Sequence, residues 1–175
     1  MRISEFTAGQ AGILNAVGRV RPAADNQYIT RHRKNQMKSL DEAFSQACGR
    51  FSGENFIQLE DPDKILVTIW GLEAEVNNGG FNQYYFNGSG DQAYYASDAL
   101  QSIGAHKMAS IVSSANDVFG PDGPSRDRGV RQKQLILVAP NDGVQSPWGA
   151  LDRAFQCYPD DIASLLIAYL RVAGS

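Results

Sequence analysis

The densest run of side chains able to do chemistry is Glu73-Ala74-Glu75-Val76-Asn77-Asn78-Gly79-Gly80-Phe81-Asn82-Gln83-Tyr84-Tyr85-Phe86-Asn87. Two carboxylates that converge can share general acid–base work or hold a metal. Glu73 and Glu75 stand two apart, about 200° around a helix, so they diverge and are not expected to act on one atom. The amides carry no titratable proton but donate and accept well. Asn77, Asn78, Gln83, Tyr84 and Asn87, with Asp91 just beyond, therefore form a candidate ligand-binding corner. The structural alternative is that these amides satisfy helix ends around a tight Gly79-Gly80 bend.

Other chemistries find little support. The phosphate-cradling spacings G-x-x-x-x-G-K-[ST] and G-x-G-x-x-G are both absent, so no nucleotide site is expected. Two histidines (His32, His106) and two cysteines (Cys48, Cys157) make no metal-ligand spacing and no nucleophile–base pair. No cofactor and no metal are expected. Each cysteine lies in an apolar stretch, as a buried free thiol in a reducing compartment does, which points to the cytoplasm. The basic groups Arg31-His32-Arg33-Lys34 and Arg126, Arg128, Arg131, Lys133 lack the interleaved aromatics of a single-strand binder and read as solvated helix faces. The aromatics Tyr84, Tyr85, Phe86, Tyr94 and Tyr95 suit either core packing or an exposed partner patch.

Charge is unevenly spread. The net charge is −3, from 19 acids and 16 bases. Residues 1–38 hold seven bases against Glu5 and Asp25. Residues 54–98 hold eight acids, Glu54, Glu60, Asp61, Asp63, Glu73, Glu75, Asp91 and Asp98, against Lys64 alone. If those eight share a face, their field steers a basic partner toward it. The alternative is a solvated face with acids at helix starts.

The elements that must position these groups are helical. Met37, Leu40, Phe44, Ala47, Cys48 and Phe51 step by three and four, one stripe of a helix over about 28–52. Asp61 suits an N-cap, Pro62 the first helical position and Asp63 the positive helix end. Ile65, Leu66, Ile69, Trp70, Leu72 and Val76 form its apolar face, and Asn77-Asn78-Gly79-Gly80 is expected to end it. Phe81–Phe86 reads as one or two further turns, and Asn87–Asp91 as a turn. Ala93, Ala96, Ala99, Leu100 and Ile103 mark another helix, stopped at Gly104. His106–Phe119 is the next, and Gly120–Pro124 a firm break. Leu135–Val138 fits a strand or the buried end of a helix. With no second strand to pair with, helix is preferred. Short helices follow from Ser146-Pro147 and from Pro159-Asp160-Asp161. The fold expected is all-α, a single compact domain of about six to eight helices over residues 28–175, behind a flexible or partly helical lead-in at 1–27. No apolar run reaches the roughly 18 residues of a membrane span, and no secretory signal is visible.

The segment Val76–Asp91 resembles the signature of a bacterial domain-of-unknown-function family typified by a small dimeric DNA-mimic protein, roughly V-x-N-G-G-F-x-Q-Y-F-x-N and a Ser/Gly/Asp turn. Ala99-Leu100-Gln101-Ser102-Ile103-Gly104-Ala105 is similar to the family's following helix end, and Leu151–Phe155 with Tyr158–Leu170 to its last helices. The resemblance covers residue 37 onward. It implies an all-helical fold, no known catalysis and a possible homodimer. It also implies a mode of action in which surface carboxylates imitate duplex DNA and occupy the DNA-binding face of a helix-turn-helix regulator. Carboxylates spaced like phosphates attract the same Lys/Arg array, with strong salt dependence. The sequence thus points to a non-enzymatic domain that binds a protein partner through the eight acids of residues 54–98, with no direct nucleic-acid or membrane contact. The alternative is a small-ligand pocket at the Asn77–Asp91 corner.

Overall fold

The computed structural model describes residues 26–52, 55–140 and 146–173. Among them the chain forms seven α-helices and no strand: α1 (Asn26–Arg50), α2 (Asp61–Phe86), α3 (Ala93–Ser102), α4 (His106–Asp117), α5 (Arg128–Val138), α6 (Gly149–Gln156) and α7 (Ile162–Ala173). Short 3-10 turns at Phe56–Gln58 and Gly88–Gln92 link α1 to α2 and α2 to α3. The all-α, single-domain expectation holds. The 1–27 lead-in lies, apart from the first residues of α1, outside the described residues.

α2 is the axis of the domain. Ile65, Leu66, Ile69, Leu72, Val76, Phe81, Tyr84 and Tyr85 are all buried along it. A helix with so many apolar residues spread around its circumference must be covered on several sides. α1 covers one side, where Phe44 stacks on Trp70 at a centroid separation of 3.7 Å. α3 and α4 cover another as an antiparallel hairpin turned at Ile103–Ala105. Alanines 93, 96, 99, 109 and 115 are buried there and let the backbones approach. The Ser97 hydroxyl donates to Ala109 O, and Asn116 Nδ2 to Ala93 O. Trp148, fully buried at the start of α6, donates its indole N–H to Ala115 O at 2.9 Å.

Two local expectations are corrected. Glu60, not Asp61, is the N-cap of α2, and its carbonyl takes the first helical bond from Lys64 N–H. Asp61 and Pro62 are thereby the first two helical residues. The break expected at Asn77–Gly80 and the further turns expected over Phe81–Phe86 are both present: only Gly79 (φ −150°) and Gly80 (φ 75°, ψ −175°) leave helical geometry, and α2 restarts at once beyond them. The run Leu135–Val138 is helical as preferred, but it is not buried throughout: Ile136 and Leu137 face solvent and only Leu135 is in the core.

Candidate functional site

The bend in α2 gathers most of the polar corner. Past Gly80 a new helix start leaves backbone N–H groups without intrahelical partners. Asp152, from α6, accepts the Phe81 N–H at 2.8 Å and so caps the second half of α2 across the fold. A side chain at Gly80 is barred twice: its φ of 75° with extended ψ is a glycine conformation, and a Cβ there stands 2.8 Å from Asp152 Oδ2. Glu75 accepts from Gln83 Nε2 at 2.7 Å and from Asn87 Nδ2 at 2.8 Å, a clamp across the bend.

Below the bend lies a buried titratable pair. Glu73 has 4% of its surface exposed. The Tyr158 hydroxyl donates to its carboxylate and accepts from Asn77 Nδ2. Burial raises the Glu73 pKa to about 7, and the bond from Tyr158 pulls it part of the way back. Burial, and then the Glu73 charge, push the Tyr158 hydroxyl upward. Tyr158 also holds a left-handed backbone, φ 48°, which a bulky residue adopts only when its surroundings impose it. Its ring contact with Phe155 and its two hydroxyl bonds supply that constraint.

At the far end of the corner Arg131 has no exposed surface, which corrects its reading as part of a solvated basic face. Its guanidinium donates to Tyr85 O, Ser125 O, Arg126 O, Asn87 O and Asp91 Oδ1, at 2.6–3.2 Å. Gly90 is required for this approach, since a Cβ there meets Tyr84 O at 2.7 Å and Arg131 Nε at 2.8 Å. The motif is therefore chiefly a device for bending and locking α2.

The two sets of expected site residues divide as follows. Of the ligand-corner set, Asn77, Gln83, Asn87 and Asp91 each hold an internal hydrogen bond. Asn78 is exposed. Tyr84 is fully buried and its hydroxyl has no hydrogen-bond partner among the described residues. Of the partner-binding acids, Asp63 is buried and paired with Arg50, whose Nη2 lies 2.7 Å from Oδ1. Glu73 is buried, and Asp91 is tied to Arg131. Glu75 is spent on its two amides. Asp63 and Glu73 are corrected as surface carboxylates, because core packing buries them, whereas Glu75 and Asp91 stay part-exposed but hydrogen-bonded. Glu54 lies outside the described residues. Glu60, Asp61 and Asp98 remain exposed. Asp61 and Asp98 both act electrostatically on Tyr95, and Asp61 also on Tyr169, so the two acids flank one tyrosine-bearing face formed by α2, α3 and α7. Asp61 holds a surface pair with Lys64 at 3.2 Å.

Sequence reasoning missed Asp152, Tyr158 and Arg131. Only Tyr158-Pro159 after α6 hinted at a special corner. Among the described residues no group of three or more His, Cys, Asp or Glu gathers as a metal site does. None of the described helices is long and apolar enough to cross a membrane.

Residues 57–173 match the family of DMP19-like proteins. The chain belongs to the DMP19-like protein family. No curated protein and no solved structure matches it. The bend, the Glu73–Tyr158 pair and the Arg131 hub all lie inside the matched region of this DMP19-like chain, whereas α1 precedes it.

Proposed function

We propose that this DMP19-like domain is a non-enzymatic binding protein that engages a basic protein partner, in the manner of a DNA mimic occupying the DNA-binding face of a regulator. The observation that carries the reading is the exposed pair Asp61 and Asp98 flanking Tyr95, with Glu60 beside them. Exposed carboxylates around partly buried tyrosines combine long-range attraction for Lys and Arg with apolar contact at close range. The acidic face is smaller than the eight-residue set read from sequence, so the binding energy rests on these three and the aromatics among them. The Asp61–Lys64 pair is no obstacle, since exposed pairs are worth about 0–1 kcal/mol and a partner's arginine can replace the lysine.

The test is capture of DNA-binding proteins on the immobilised full chain, followed by affinity measurement for the retained protein across a salt series. The expected affinity falls steeply and linearly on a log–log plot of salt, and duplex DNA competes for the same partner. The double variant Asp61→Lys, Asp98→Lys is expected to weaken binding by about tenfold or more. Binding that ignores salt and survives the charge reversal excludes the proposal.

A further inference from the structure

α5 has two apolar sides, and among the described residues the fold covers only one. At about 100° per residue, Arg131, Leu135 and Val138 point inward, while Val130, Lys133, Ile136 and Leu137 fall within about 120° of one another on the opposite side. On that outer side Val130 is 48% exposed, Ile136 68% and Leu137 80%. Phe86, at the end of α2, is 52% exposed on the Arg128–Gln132 side of α5. It is held there because Arg128 Nε and Gln132 Nε2 both donate to its carbonyl, at 3.2 and 3.0 Å. Surface residues of this kind occurring singly need no account, but three on one helix face mark a contact surface.

Charge selects the occupant. α5 itself contains no acid, and Asp127 just before it is occupied as its N-cap, accepting Val130 N–H at 2.8 Å. Lys133 is exposed within the apolar stripe, while Arg128, also exposed, stands off it and is turned to the Phe86 carbonyl. Pairing of α5 with α5 of a second copy sets Lys133, near the middle of the stripe, against itself, which like-charge repulsion disfavours. Residues 1–25 of the same chain have apolar Ile13, Leu14, Val17 and Val20 but carry Arg2, Arg19 and Arg21 against Glu5 and Asp25, the wrong sign to complement it. A lipid surface is read by clusters of about four to eight bases, more than this face presents.

We propose that the outer face of α5 docks an acidic amphipathic helix of another protein, the leucine-like residues of that helix lying on Val130, Ile136 and Leu137 and its carboxylates on Lys133. This surface is separate from the acidic α2–α3–α7 face and does not depend on the function proposed for it.

The probe is a fluorescein-labelled helical peptide of about five turns, with leucines at i, i+3, i+4 and i+7 and glutamates flanking them, compared with the same peptide carrying lysines. The full chain is expected to raise the anisotropy of the glutamate peptide saturably and to leave the lysine peptide unbound. Ile136→Ser with Leu137→Ser is expected to weaken binding by about tenfold or more, with the melting temperature unchanged because both side chains lie outside the core. Lys133→Glu is expected to shift preference toward the lysine peptide. Equal binding of both peptides, no binding of either, or full binding by the Ser variant overturns the proposal. So does either alternative occupant: concentration-dependent dimerisation that the Ser variant abolishes, or binding to phosphatidylserine vesicles that the same variant abolishes.

Discussion

A guanidinium with no exposed surface must use its donors inside the fold, and Arg131 reaches four carbonyls and one carboxylate. Removing it leaves Asp91 and those carbonyls without their partner. Arg131→Met is expected to cost about 3–5 kcal/mol, read as the fall in the urea midpoint. Arg131→Lys fares little better, since a point charge cannot span five acceptors set around a planar fork. Glu73 makes the opposite kind of demand. Its pKa is raised in the fold from 4.5 to about 7, so the folded state favours the neutral acid. The stability it confers is complete below pH 4.5 and is lost as pH rises through about 7. A rise of that size corresponds to about 3 kcal/mol over the window. Denaturation of wild type and Glu73→Gln at several pH values is expected to show the loss only in wild type. Tyr158→Phe removes the donor that favours the ionised carboxylate, so the midpoint of the wild-type loss is expected to move to still higher pH. Neither residue's environment is legible locally: a Glu on an apolar helix and an Arg among other bases look like surface residues until the elements that bury them are in place.

At the scale of elements, α2 bends because its chain offers two glycines and α6 offers a carboxylate. Asp152→Ala removes the cap and is expected to cost about 0.5–2 kcal/mol, whereas Asp152→Asn keeps an acceptor for Phe81 N–H and costs less. Gly80→Ala is expected to cost about 1–3 kcal/mol or more, from backbone strain and from the contact with Asp152. Because part of that cost is the contact, the double variant Gly80→Ala, Asp152→Ala is expected to be less destabilised than the sum of the two, which a double-mutant cycle by thermal melting measures. The same economy recurs at α4, where Asp160, just before α7, accepts Lys107 N–H at 2.8 Å and Met108 N–H at 2.9 Å. The Gly79-Gly80 break was readable from sequence. So were the further turns over Phe81–Phe86, but not the group that caps them, which is 71 residues away.

For the whole molecule, the described fold is larger than the family match. α1 lies before residue 57, yet Leu40 and Ala47 are buried and Phe44 stacks on Trp70. Phe44→Ala is expected to destabilise the domain by about 2–3 kcal/mol in a single transition shared by tryptophan fluorescence and far-UV circular dichroism. Separate transitions for the two signals place α1 outside the cooperative unit. Folding also redistributes charge. Asp127, Asp152, Asp160 and Asp161 accept backbone N–H groups, Asp63 and Asp91 pair with arginines, and Glu73 is buried. Of the described acids in residues 54–98, Asp63 and Glu73 are thus internal and Glu75 and Asp91 are engaged by partners, while Glu60, Asp61 and Asp98 reach solvent, the last two acting on Tyr95.

The amino-acid sequence by itself determined the helices, their breaks at Gly79-Gly80 and Gly120–Pro124, and the apolar stripes, since period, caps and breakers act over a few neighbouring residues. Tertiary structure alone decided which acids face solvent, which arginine is buried and which face of α5 stays exposed. Those outcomes depend on partners far apart in the chain, such as Arg131 with Tyr85 and Asn77 with Tyr158, separated by 46 and 81 residues. Burial and pairing are properties of the assembled surfaces, and no short stretch of chain contains both sides of such a contact.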